Sequence, residues 1–321
     1  MNRRFGVTLP FDGVPLSAHA ALVRELGDLG YTDLWTSETS AYDAFSPLAV
    51  VAASAPALRL GAAIAPVFTR GPALLAMTAA ALADAAPGRF VLGLGSSSRV
   101  IVEDWNAGRL ERPLSRVRDT LRFLRRALAG ERVDERFDTF AVRGFRLERP
   151  PAVAPPLYLA ALREGMLRLA AEEADGAILG LLSAEDVSRV VGVLHAAGPA
   201  RDVVARVAVC PTSDAVAARA LGRRMLAAYL QVPAYARFHD WLGRKEELAP
   251  MRAAWSAGDR KAARAALPDA LVDALVLHGP AERCREGLAR FADAGVTTLV
   301  IQLLAHVGDP SAALRALAPP W

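Results

Sequence analysis

Short apolar runs alternate along the chain with longer stretches that are rich in Ala, Leu and Arg. Most of the short runs are continuously apolar. This is typical of parallel strands that are covered by helices on one face and packed inside a barrel on the other. The pattern predicts eight strands, at Arg4–Leu9, Asp33–Ser37, Leu58–Ala65, Arg89–Gly95, Leu157–Ala161, Gly176–Gly180, Ala205–Cys210 and Thr298–Leu303.

The longer stretches between these runs carry the start and stop residues of helices. Ser or Pro stands at the beginning of several of them and Gly follows the end, as is common at helix termini. They predict helices at Ala18–Leu29, Ala73–Ala85, Leu114–Leu128, Glu185–His195 and Ala281–Ala294. The repeated strand–helix unit predicts a parallel α/β fold, and eight strands favour a closed (β/α)8 TIM barrel over an open doubly wound sheet.

Two segments are longer than the connections of a minimal barrel. The first, Gly130–Pro156, is rich in Pro and Arg and predicts a loop or a short hairpin. The second, Thr212–Pro280, predicts a mainly helical insertion between strands 7 and 8, and such insertions lie over the C-terminal mouth of a barrel. The large side chains of the insertion either cover a ligand or pack the inserted helices together. Both alternatives stay open for Tyr229, Tyr235, Phe238, Trp241 and Trp255.

Composition indicates a large folded core. Length alone would allow two domains in a chain of 321 residues, but α/β barrels of this size fold as one domain. We therefore expect residues 1–321 to form a single domain with 212–280 as its insertion. Hydrophobic residues make up 53% of the chain, which excludes a disordered protein. The 38 Lys+Arg and 34 Asp+Glu residues are interleaved, so we expect no nucleic-acid partner.

Targeting, membrane and metal signals are absent from the sequence. The N-terminus runs into a strand rather than an apolar signal core, and no uninterrupted apolar window predicts a transmembrane helix. We therefore expect a cytoplasmic protein with no membrane partner. Cys210 and Cys284 form no CxxC motif, so reduced thiols are expected, although a single disulfide stays open. The five histidines, His306 among them, show no HxxxH spacing and predict no metal site.

Three stretches together carry a resemblance to a known family: Gly30–Glu38, Leu58–Pro72 and Gly88–Ser98. In their order and spacing, and with the last helix and strand, they resemble the luciferase-like monooxygenase superfamily over nearly the whole chain. The segment Ser96–Asn106 looks most like the branch that uses the deazaflavin coenzyme F420, near the methylenetetrahydromethanopterin reductase-like enzymes. The resemblance implies a (β/α)8 barrel, in agreement with the strand count.

The resemblance implies a catalytic position for Glu38 and Thr39. Glu38 closes the second strand, so its carboxylate should face the barrel mouth, where the resemblance places an acidic residue beside the deazaflavin ring. A carboxylate there can accept hydrogen bonds from the ring or the substrate. Relatives that act on sugar phosphates or alcohols usually have Asp followed by His; this chain keeps the charge but has Thr39 in place of the general base. An N-cap or an ion-paired loop acid is the structural alternative for Glu38.

The resemblance also implies cofactor contacts at the ends of the third, fourth and fifth strands. A bulge with a cis peptide at Ala63–Ile64, followed by Ala65, would back the ring. Glycines and hydroxyls would line a polar ligand edge, and the start of the helix after strand five would bind a phosphate. The further residues are Gly95, Ser96, Ser97, Ser98, Ala161, Leu162, Arg163 and Gly165. The family usually has Gly-Pro where this chain has Arg163-Glu164, so Arg163 is a candidate for a charged contact, with a surface arginine as the alternative.

The sequence therefore predicts an F420-dependent oxidoreductase that transfers hydride between the deazaflavin and a small organic substrate held under the insertion. Two alternatives stay open. One is an FMN-dependent two-component monooxygenase whose flavin is reduced by a partner enzyme, and the other is a non-catalytic flavin-binding barrel. Because the relatives are often dimers, a homodimer is a further candidate.

Overall fold

The computed structural model describes residues 3–199, 201–304 and 309–319. In this part of the chain, nine parallel strands form one sheet and two more form an antiparallel hairpin. The strands are β1 (Arg4–Leu9), β2 (Asp33–Thr36), β3 (Arg59–Pro66), β4 (Phe90–Gly95), β5 (Val133–Arg136), β6 (Ala141–Phe145), β7 (Leu157–Ala160), β8 (Gly176–Gly180), β9 (Asp202–Pro211), β10 (Val276–Gly279) and β11 (Thr298–Leu303).

Eight of these strands close into a barrel. Their order is β9-β11-β1-β2-β3-β4-β7-β8, and β8 pairs with β9 to complete the circle. The closed barrel confirms the predicted (β/α)8 fold. The predicted strands agree with the observed ones to within one residue, except that β9 begins earlier than expected, because Asp202 and Val203 already pair with β8.

The prediction missed one strand, β10, which lies inside the segment expected to be mainly helical. It pairs with Ala208–Pro211, just beyond the residues of β9 that pair with β8. The run is only four residues long and follows directly after a helix. So short an apolar run shows no period that would distinguish a strand from the end of the helix.

Helices connect the strands and pack against the outside of the barrel. They are α1 (Leu16–Leu22), α2 (Arg24–Asp28), α3 (Ser46–Val51), α4 (Pro72–Ala85), α5 (Pro113–Leu128), α6 (Glu164–Glu173), α7 (Ala184–Ala197), α8 (Ala215–Leu230), α9 (Pro233–Trp241), α10 (Lys245–Ser256), α11 (Arg260–Ala265), α12 (Asp269–Leu275), α13 (Ala281–Asp293) and α14 (Pro310–Ala316). The predicted helices are present, with Ala18–Leu29 divided at Val23 into α1 and α2. A π-helical segment, Val100–Trp105, follows β4.

The two long segments fold differently. Within Gly130–Pro156, β5 and β6 form a hairpin, which was one of the two predicted alternatives. Between β9 and α13, helices α8, α10, α11 and α12 pack around an apolar cluster of their own. That cluster includes Leu226, Leu230, Leu248, Met251, Leu271 and Val272.

The interior of the barrel is filled around Trp35. Its indole lies so close to Gly61 that a Cβ on that glycine would come within 2.2 Å of the indole Cε3. The layer around Trp35 is completed by Ala63, Val91, Tyr158, Ile178, Val204 and Val300. The interior is therefore a packed core and not a channel, and a ligand has to bind above it.

An ion network closes the N-terminal end of the barrel. Asp33 is fully buried and accepts hydrogen bonds from Arg59 and, at 2.8 Å, from Arg4 Nε. Arg59 also donates to Thr298 Oγ1 at 3.0 Å and lies 3.6 Å from Asp202. Burial alone would lower the pKa of Arg59, but the charges of Asp33 and Asp202 help to raise that pKa above its ordinary value. The network therefore joins five strands, β1, β2, β3, β9 and β11, through two charged guanidinium groups.

Both thiols are buried, and neither takes part in a disulfide. Burial raises the pKa of Cys284 to about 12, so this thiol is protonated and unreactive at neutral pH. Within the described ranges, no group of His, Cys, Asp or Glu side chains is arranged to hold a metal ion. The same residues include no helix long and apolar enough to cross a bilayer. His306 lies outside the described residues.

His239 connects the insertion to the barrel. It is fully buried on α9, and its Nε2 donates to the Leu181 carbonyl oxygen, just after β8, at 2.9 Å. Burial, assisted by the positive charge of Arg244, lowers the pKa of His239 to about 4. The ring is therefore neutral at pH 7.

We expect the free energy of unfolding to fall as the pH is lowered from 6.5 to 4. An unfolded histidine takes up a proton near pH 6.5, whereas the folded His239 does so only near pH 4. The unfolded state therefore binds more protons in this window. Up to about 3 kcal/mol of stability is present above pH 6.5 and lost by pH 4.

Urea unfolding between pH 7 and pH 4.5 measures this dependence. The His239→Gln variant should have a flatter pH profile than the wild type, and replacement of the exposed His195 by Gln should leave the slope unchanged. Identical slopes for the wild type and His239→Gln would contradict the expectation.

Candidate functional site at the barrel mouth

A cleft of about 170 Å³ opens at the carboxyl ends of β1, β2, β9 and β11, the end at which (β/α)8 barrels bind their ligands. It combines a polar inner end with apolar sides. Its lining residues are Thr8, Leu9, Pro10, Phe11, Asp12, Ser37, Thr39, Ala41, Arg206, Gln302, Leu303, Leu304 and Pro310. The cleft can therefore hold a small molecule that has both a polar group and a carbon skeleton.

Arg206 crosses the inner end of this cleft. It lies on β9, two positions beyond the interior residue Val204. Its guanidinium donates to the Ala63 carbonyl oxygen at 3.1 Å, to Gln302 Oε1 at 3.3 Å and to Ser37 Oγ at 3.5 Å. The side chain thus reaches from β9 to the ends of β2 and β3, and it forms a charged floor above the packed interior.

Arg206 has no counter-ion. Its three partners are neutral, and no carboxylate in residues 3–199, 201–304 and 309–319 forms an ion pair with it. Its Nε is buried without a hydrogen-bond partner, and burial lowers the pKa of the guanidinium. Because an arginine stays protonated even so, the floor of the cleft carries an uncompensated positive charge.

Thr8 supplies a second unsatisfied group in the same cleft. Its Oγ1 is buried and has no hydrogen-bond partner. Buried polar atoms in proteins almost always have a partner, whether protein, water or ligand. The hydroxyl of Thr8 and the Nε of Arg206 are therefore candidate contacts for a polar ligand group at this end of the barrel.

Two tyrosines of the insertion lie near this floor. Tyr229 on α8 and Tyr235 on α9 meet edge to face with their ring centroids 5.5 Å apart, and both interact electrostatically with Arg206. Burial, with a contribution from Tyr229, raises the pKa of Tyr235 to about 12, so that its hydroxyl is neutral. These two rings correspond to the alternative in which the insertion covers a ligand.

The other large aromatic residues of the insertion pack against neighbouring side chains. Phe238 stacks on Trp241 with ring centroids 6.2 Å apart, and Arg189 of α7 lies over Trp241. Trp255 is covered by Arg260. Phe238 and Trp241 thus pack the insertion against the barrel, and a ligand-covering role for Tyr229 and Tyr235 stays a prediction.

Glu38 is held by the loops that follow β2 and β3. Its Oε2 accepts from Arg70 Nη2 at 2.6 Å and from the Ala44 backbone N at 3.0 Å, and its Oε1 accepts from Thr69 at 3.4 Å. Only 15% of its side chain is exposed. These contacts correspond to the ion-paired loop acid, the structural alternative, and a contact between Glu38 and a ring stays a prediction. Thr39, by contrast, is exposed and lines the cleft.

Replacement of Glu38 by Gln is expected to lower the free energy of unfolding by about 1–2 kcal/mol, because Arg70 loses its nearest counter-ion in a half-buried position. Chemical denaturation measures the loss. Glu185→Gln, which breaks an exposed pair with Arg290, should change stability by less than about 0.5 kcal/mol. A Glu38→Gln protein of unchanged stability that binds F420 poorly would instead support a ring contact.

The wall between β3 and β4 is built from small residues. The peptide bond between Ala63 and Ile64 is cis, and the register between the two strands shifts just before Ala65. A Cβ on Gly95 would lie 2.9 Å from Ile64 Cγ1 and 3.2 Å from Ala160 Cβ. Ile64 therefore lies directly against the backbone of Gly95, and the bulge is present where it was predicted.

The three serines after β4 differ in their contacts. The Ser98 carbonyl oxygen accepts from Val102 N at 2.9 Å, and its Oγ accepts from Ile101 N at 3.4 Å, so Ser98 caps the π-helical segment. Ser97 has a positive φ of 61°. The Oγ of Ser96 donates only to the Ser97 carbonyl oxygen, at 3.5 Å. The Ser98 hydroxyl thus accepts a hydrogen bond from the backbone of the π-helical segment, whereas the Ser96 hydroxyl forms one long hydrogen bond to its neighbour.

The residues after β7 lie at the same end of the barrel but outside the cleft. Ala161 is fully buried, Leu162 is half-buried, and Arg163 and Gly165 are exposed. Arg163 occupies the N-cap position of α6, and within the part of the chain that the structure describes its side chain forms no ion pair. Of the residues predicted for the site, only Thr39 lines the cleft, and Ala63 is joined to it through Arg206.

Sequence reasoning missed the other polar residues of the cleft, which are Thr8, Asp12, Ser37, Arg206 and Gln302. A signal was present for two of them. Arg206 interrupts an otherwise apolar strand, and Gln302 stands near the carboxyl end of the last strand. A polar residue at this end of a barrel strand is typical of a ligand-binding position. Asp12 follows β1 on an exposed loop and carries no comparable signal.

Comparison with known sequences identifies related proteins. The sequence profile of the luciferase-like monooxygenase family matches residues 3–298. A protein of Mycobacterium tuberculosis, provisionally named a coenzyme F420-dependent oxidoreductase, is 35% identical over 129 residues, which are 40% of this chain and 37% of that protein. The 5,10-methylenetetrahydromethanopterin reductase of Methanolobus tindarius is 29% identical over 184 residues, 57% of this chain and 55% of the reductase. The matches therefore span about half or less of the length of these relatives.

Comparison with solved structures shows the same fold over the chain. The coenzyme F420 dependent tetrahydromethanopterin reductase from Methanopyrus kandleri superposes with a TM-score of 0.81 at 19% identity, covering 99% of this chain and 98% of that one. An F420-dependent secondary alcohol dehydrogenase in complex with an F420-acetone adduct gives 0.75 at 14% identity, with coverages of 99% and 97%. The FMN complex of the oxygenating constituent of 3,6-diketocamphane monooxygenase from Pseudomonas putida gives 0.66 at 16% identity, also with 99% and 97% covered. At these identities the structures establish the fold.

Proposed function

The chain belongs to the luciferase-like monooxygenase family, and on that premise we propose that it is a coenzyme F420-dependent oxidoreductase acting on a small organic substrate. Hydride transfer between the deazaflavin and the substrate is the proposed reaction. Relatives named for F420 or for methylenetetrahydromethanopterin support this proposal. An F420-dependent reductase and an F420-dependent dehydrogenase among the structures of the same fold also support it.

The observation that carries the proposal is the wall formed by the ends of β3, β4 and β7. Ile64 lies there against the backbone of Gly95 and near the methyl group of Ala160, directly after the cis peptide bond at Ala63, and these residues present only apolar groups. A planar ring needs this kind of surface, because it must approach the backbone closely. The unsatisfied Nε of Arg206 and Oγ1 of Thr8 lie at the same end of the barrel and can serve polar ligand atoms. The residues present therefore fit a deazaflavin.

When bound, the deazaflavin supplies the hydride donor or acceptor, and the protein supplies binding and position. Ala63, Ile64 and Gly95 would support one face of the ring. Arg206 would hold an oxygen of the substrate at the floor of the mouth, through a guanidinium that Ala63, Ser37 and Gln302 already orient.

The insertion would control access to the mouth. Tyr229 and Tyr235 lie near Arg206 and are half-buried, so their rings can exclude water from above the floor. A drier site strengthens the interaction between the guanidinium and an oxygen of the ligand.

Equilibrium binding tests the proposal. Fluorescence titration of the purified protein with F420 should give a dissociation constant in the micromolar range or tighter, and FMN should bind at least about tenfold more weakly. Failure of F420 to bind in this range would contradict the proposed function.

An FMN-dependent monooxygenase is the second candidate, because the same fold occurs in a monooxygenase structure that contains FMN. This candidate predicts oxygen consumption with chemically reduced FMN and none with reduced F420. A protein that binds neither compound would correspond to the non-catalytic barrel.

A homodimer stays a prediction. Large apolar side chains are exposed on neighbouring helices, with Leu74 and Met77 on α4 and Leu114 on α5 each more than 40% accessible. Burying such side chains against a second copy would be favourable. Sedimentation analysis would show a species of twice the 34.1 kDa chain mass if the dimer forms.

A further inference from the structure

The positive charge of Arg206 at the floor of the mouth is not explained by the fold. At the opposite end of the barrel, Arg59 is paired with Asp33 and lies near Asp202. Arg206 lies in the same barrel, but its partners are a carbonyl, an amide and a hydroxyl oxygen. Burying a charge without a counter-ion is costly, and buried charges in proteins are normally paired. The missing partner of Arg206 is therefore expected to come from a ligand.

The cleft shows what kind of ligand can supply that partner. Arg206 and Thr8 offer donors at its inner end, whereas Leu9, Phe11 and Leu303 line its sides. Three of the five guanidinium N–H groups of Arg206 already donate, and a carboxylate is a strong acceptor for a remaining N–H of a charged donor. The exposed carboxylate of Asp12 at the rim disfavours ligands with several negative charges. A volume of about 170 Å³ suits a small molecule.

We propose that Arg206 and Thr8 bind the carboxylate of a small monocarboxylate substrate, whose carbon skeleton lies between Leu9, Phe11 and Leu303. This deepens the proposed function by naming the class of substrate, and it rests on that function for the reaction that follows. Binding of the carboxylate itself depends only on the cleft. It can therefore be measured on protein that contains no F420.

The test uses crotonate, a four-carbon unsaturated carboxylate, and crotonamide, its uncharged counterpart of nearly the same shape. Calorimetric titration of the F420-free protein should give a dissociation constant for crotonate in the low millimolar range, at least about tenfold tighter than for crotonamide. Arg206→Gln should weaken crotonate binding at least about tenfold and leave crotonamide unchanged. Arg206→Lys should lie between the two, because it keeps the charge without the planar fork.

A matched control separates the cleft from the general positive charge of the protein. Arg24 is exposed on α2, and Arg24→Gln removes the same charge far from the mouth. Crotonate should bind this variant as it binds the wild type. Equal losses in Arg24→Gln and Arg206→Gln, or equal affinities of the wild type for crotonate and crotonamide, would overturn the proposal.

Thermal unfolding distinguishes a ligand-binding arginine from a structural one. The guanidinium has no counter-ion and its three hydrogen bonds are all to neutral groups, so Arg206→Gln should lower the Tm by no more than about 4 °C. Saturating crotonate should raise the Tm of the wild type by about 2 °C and leave that of Arg206→Gln unchanged. A large fall in Tm on Arg206→Gln would mean a structural role and would overturn the proposal. Thr8→Val, which keeps the shape of the side chain, gives a second test and should weaken crotonate binding about threefold.

Titration with F420 keeps this proposal distinct from the proposed function. If Arg206→Gln loses F420 affinity tenfold while crotonate binding is unaffected, the arginine serves the cofactor and the carboxylate site is wrong. If the wild type fails to bind F420 but still binds crotonate through Arg206, the carboxylate site stands and the F420-dependent function is wrong.

Discussion

Replacement of Gly95 by alanine is expected to weaken F420 binding at least about tenfold. The added Cβ would lie 2.9 Å from Ile64 Cγ1 and 3.0 Å from its Cδ1. Contacts this short force the isoleucine side chain to move. Ala160 Cβ lies 3.2 Å from the added Cβ as well, so Ile64 is displaced within the wall on which the ring is proposed to lie. Fluorescence titration with F420 measures the loss.

Gly180→Ala is the matched control for this prediction. Gly180 ends β8 at the same end of the barrel, and an added Cβ there meets no atom within 4 Å. F420 affinity should stay within about threefold of the wild-type value. Equal losses in the two variants would show that the ring does not lie specifically on the wall between β3 and β4. The Tm of each variant should be measured as well, because an unfolded protein would lose affinity without bearing on the site.

Replacement of Asp33 by asparagine is expected to destabilise the protein by about 3–5 kcal/mol. The carboxylate is fully buried at the N-terminal end of the barrel and accepts from both Arg4 and Arg59. Loss of its charge leaves Arg59, only 14% exposed, with a single more distant carboxylate at 3.6 Å, that of Asp202. Urea unfolding at pH 7 measures the change.

Asp293→Asn provides the comparison on the surface. It breaks the pair between Arg3 and Asp293, in which both side chains are largely exposed, and should change stability by less than about 0.5 kcal/mol. A loss for Asp33→Asn no larger than that for Asp293→Asn would contradict the role given to the network. Because this network lies at the end of the barrel away from the cleft, F420 affinity of the folded variant should be unchanged.

The barrel could be predicted from the sequence because its strands are buried on both faces. Near-continuous apolar runs such as Gly176–Gly180 and Thr298–Leu303 predict strands whose bounds equal the observed ones. The same reasoning fails for β10. A run of four residues is too short to show a hydrophobic period. This strand forms because the end of β9 offers an unpaired edge.

The candidate site was harder to predict, because its residues are brought together by closure of the barrel. Arg206 lies on β9, Ser37 directly follows β2, and these two strands do not pair, yet the guanidinium reaches across the mouth to the Ser37 hydroxyl. Glu38 shows the opposite case. Its place after β2 predicts a carboxylate at the mouth, and only the structure shows that Arg70 binds this carboxylate. Position in the sequence determines which end of the barrel a residue occupies, but not which partner its side chain finds.

A crystal structure of the protein with F420 tests the central claim most directly. We expect the deazaflavin ring to lie at the barrel mouth, in van der Waals contact with Ile64 and Gly95 and beside Arg206. A ring bound elsewhere on the barrel, or a mouth that stays empty at saturating F420, would contradict it.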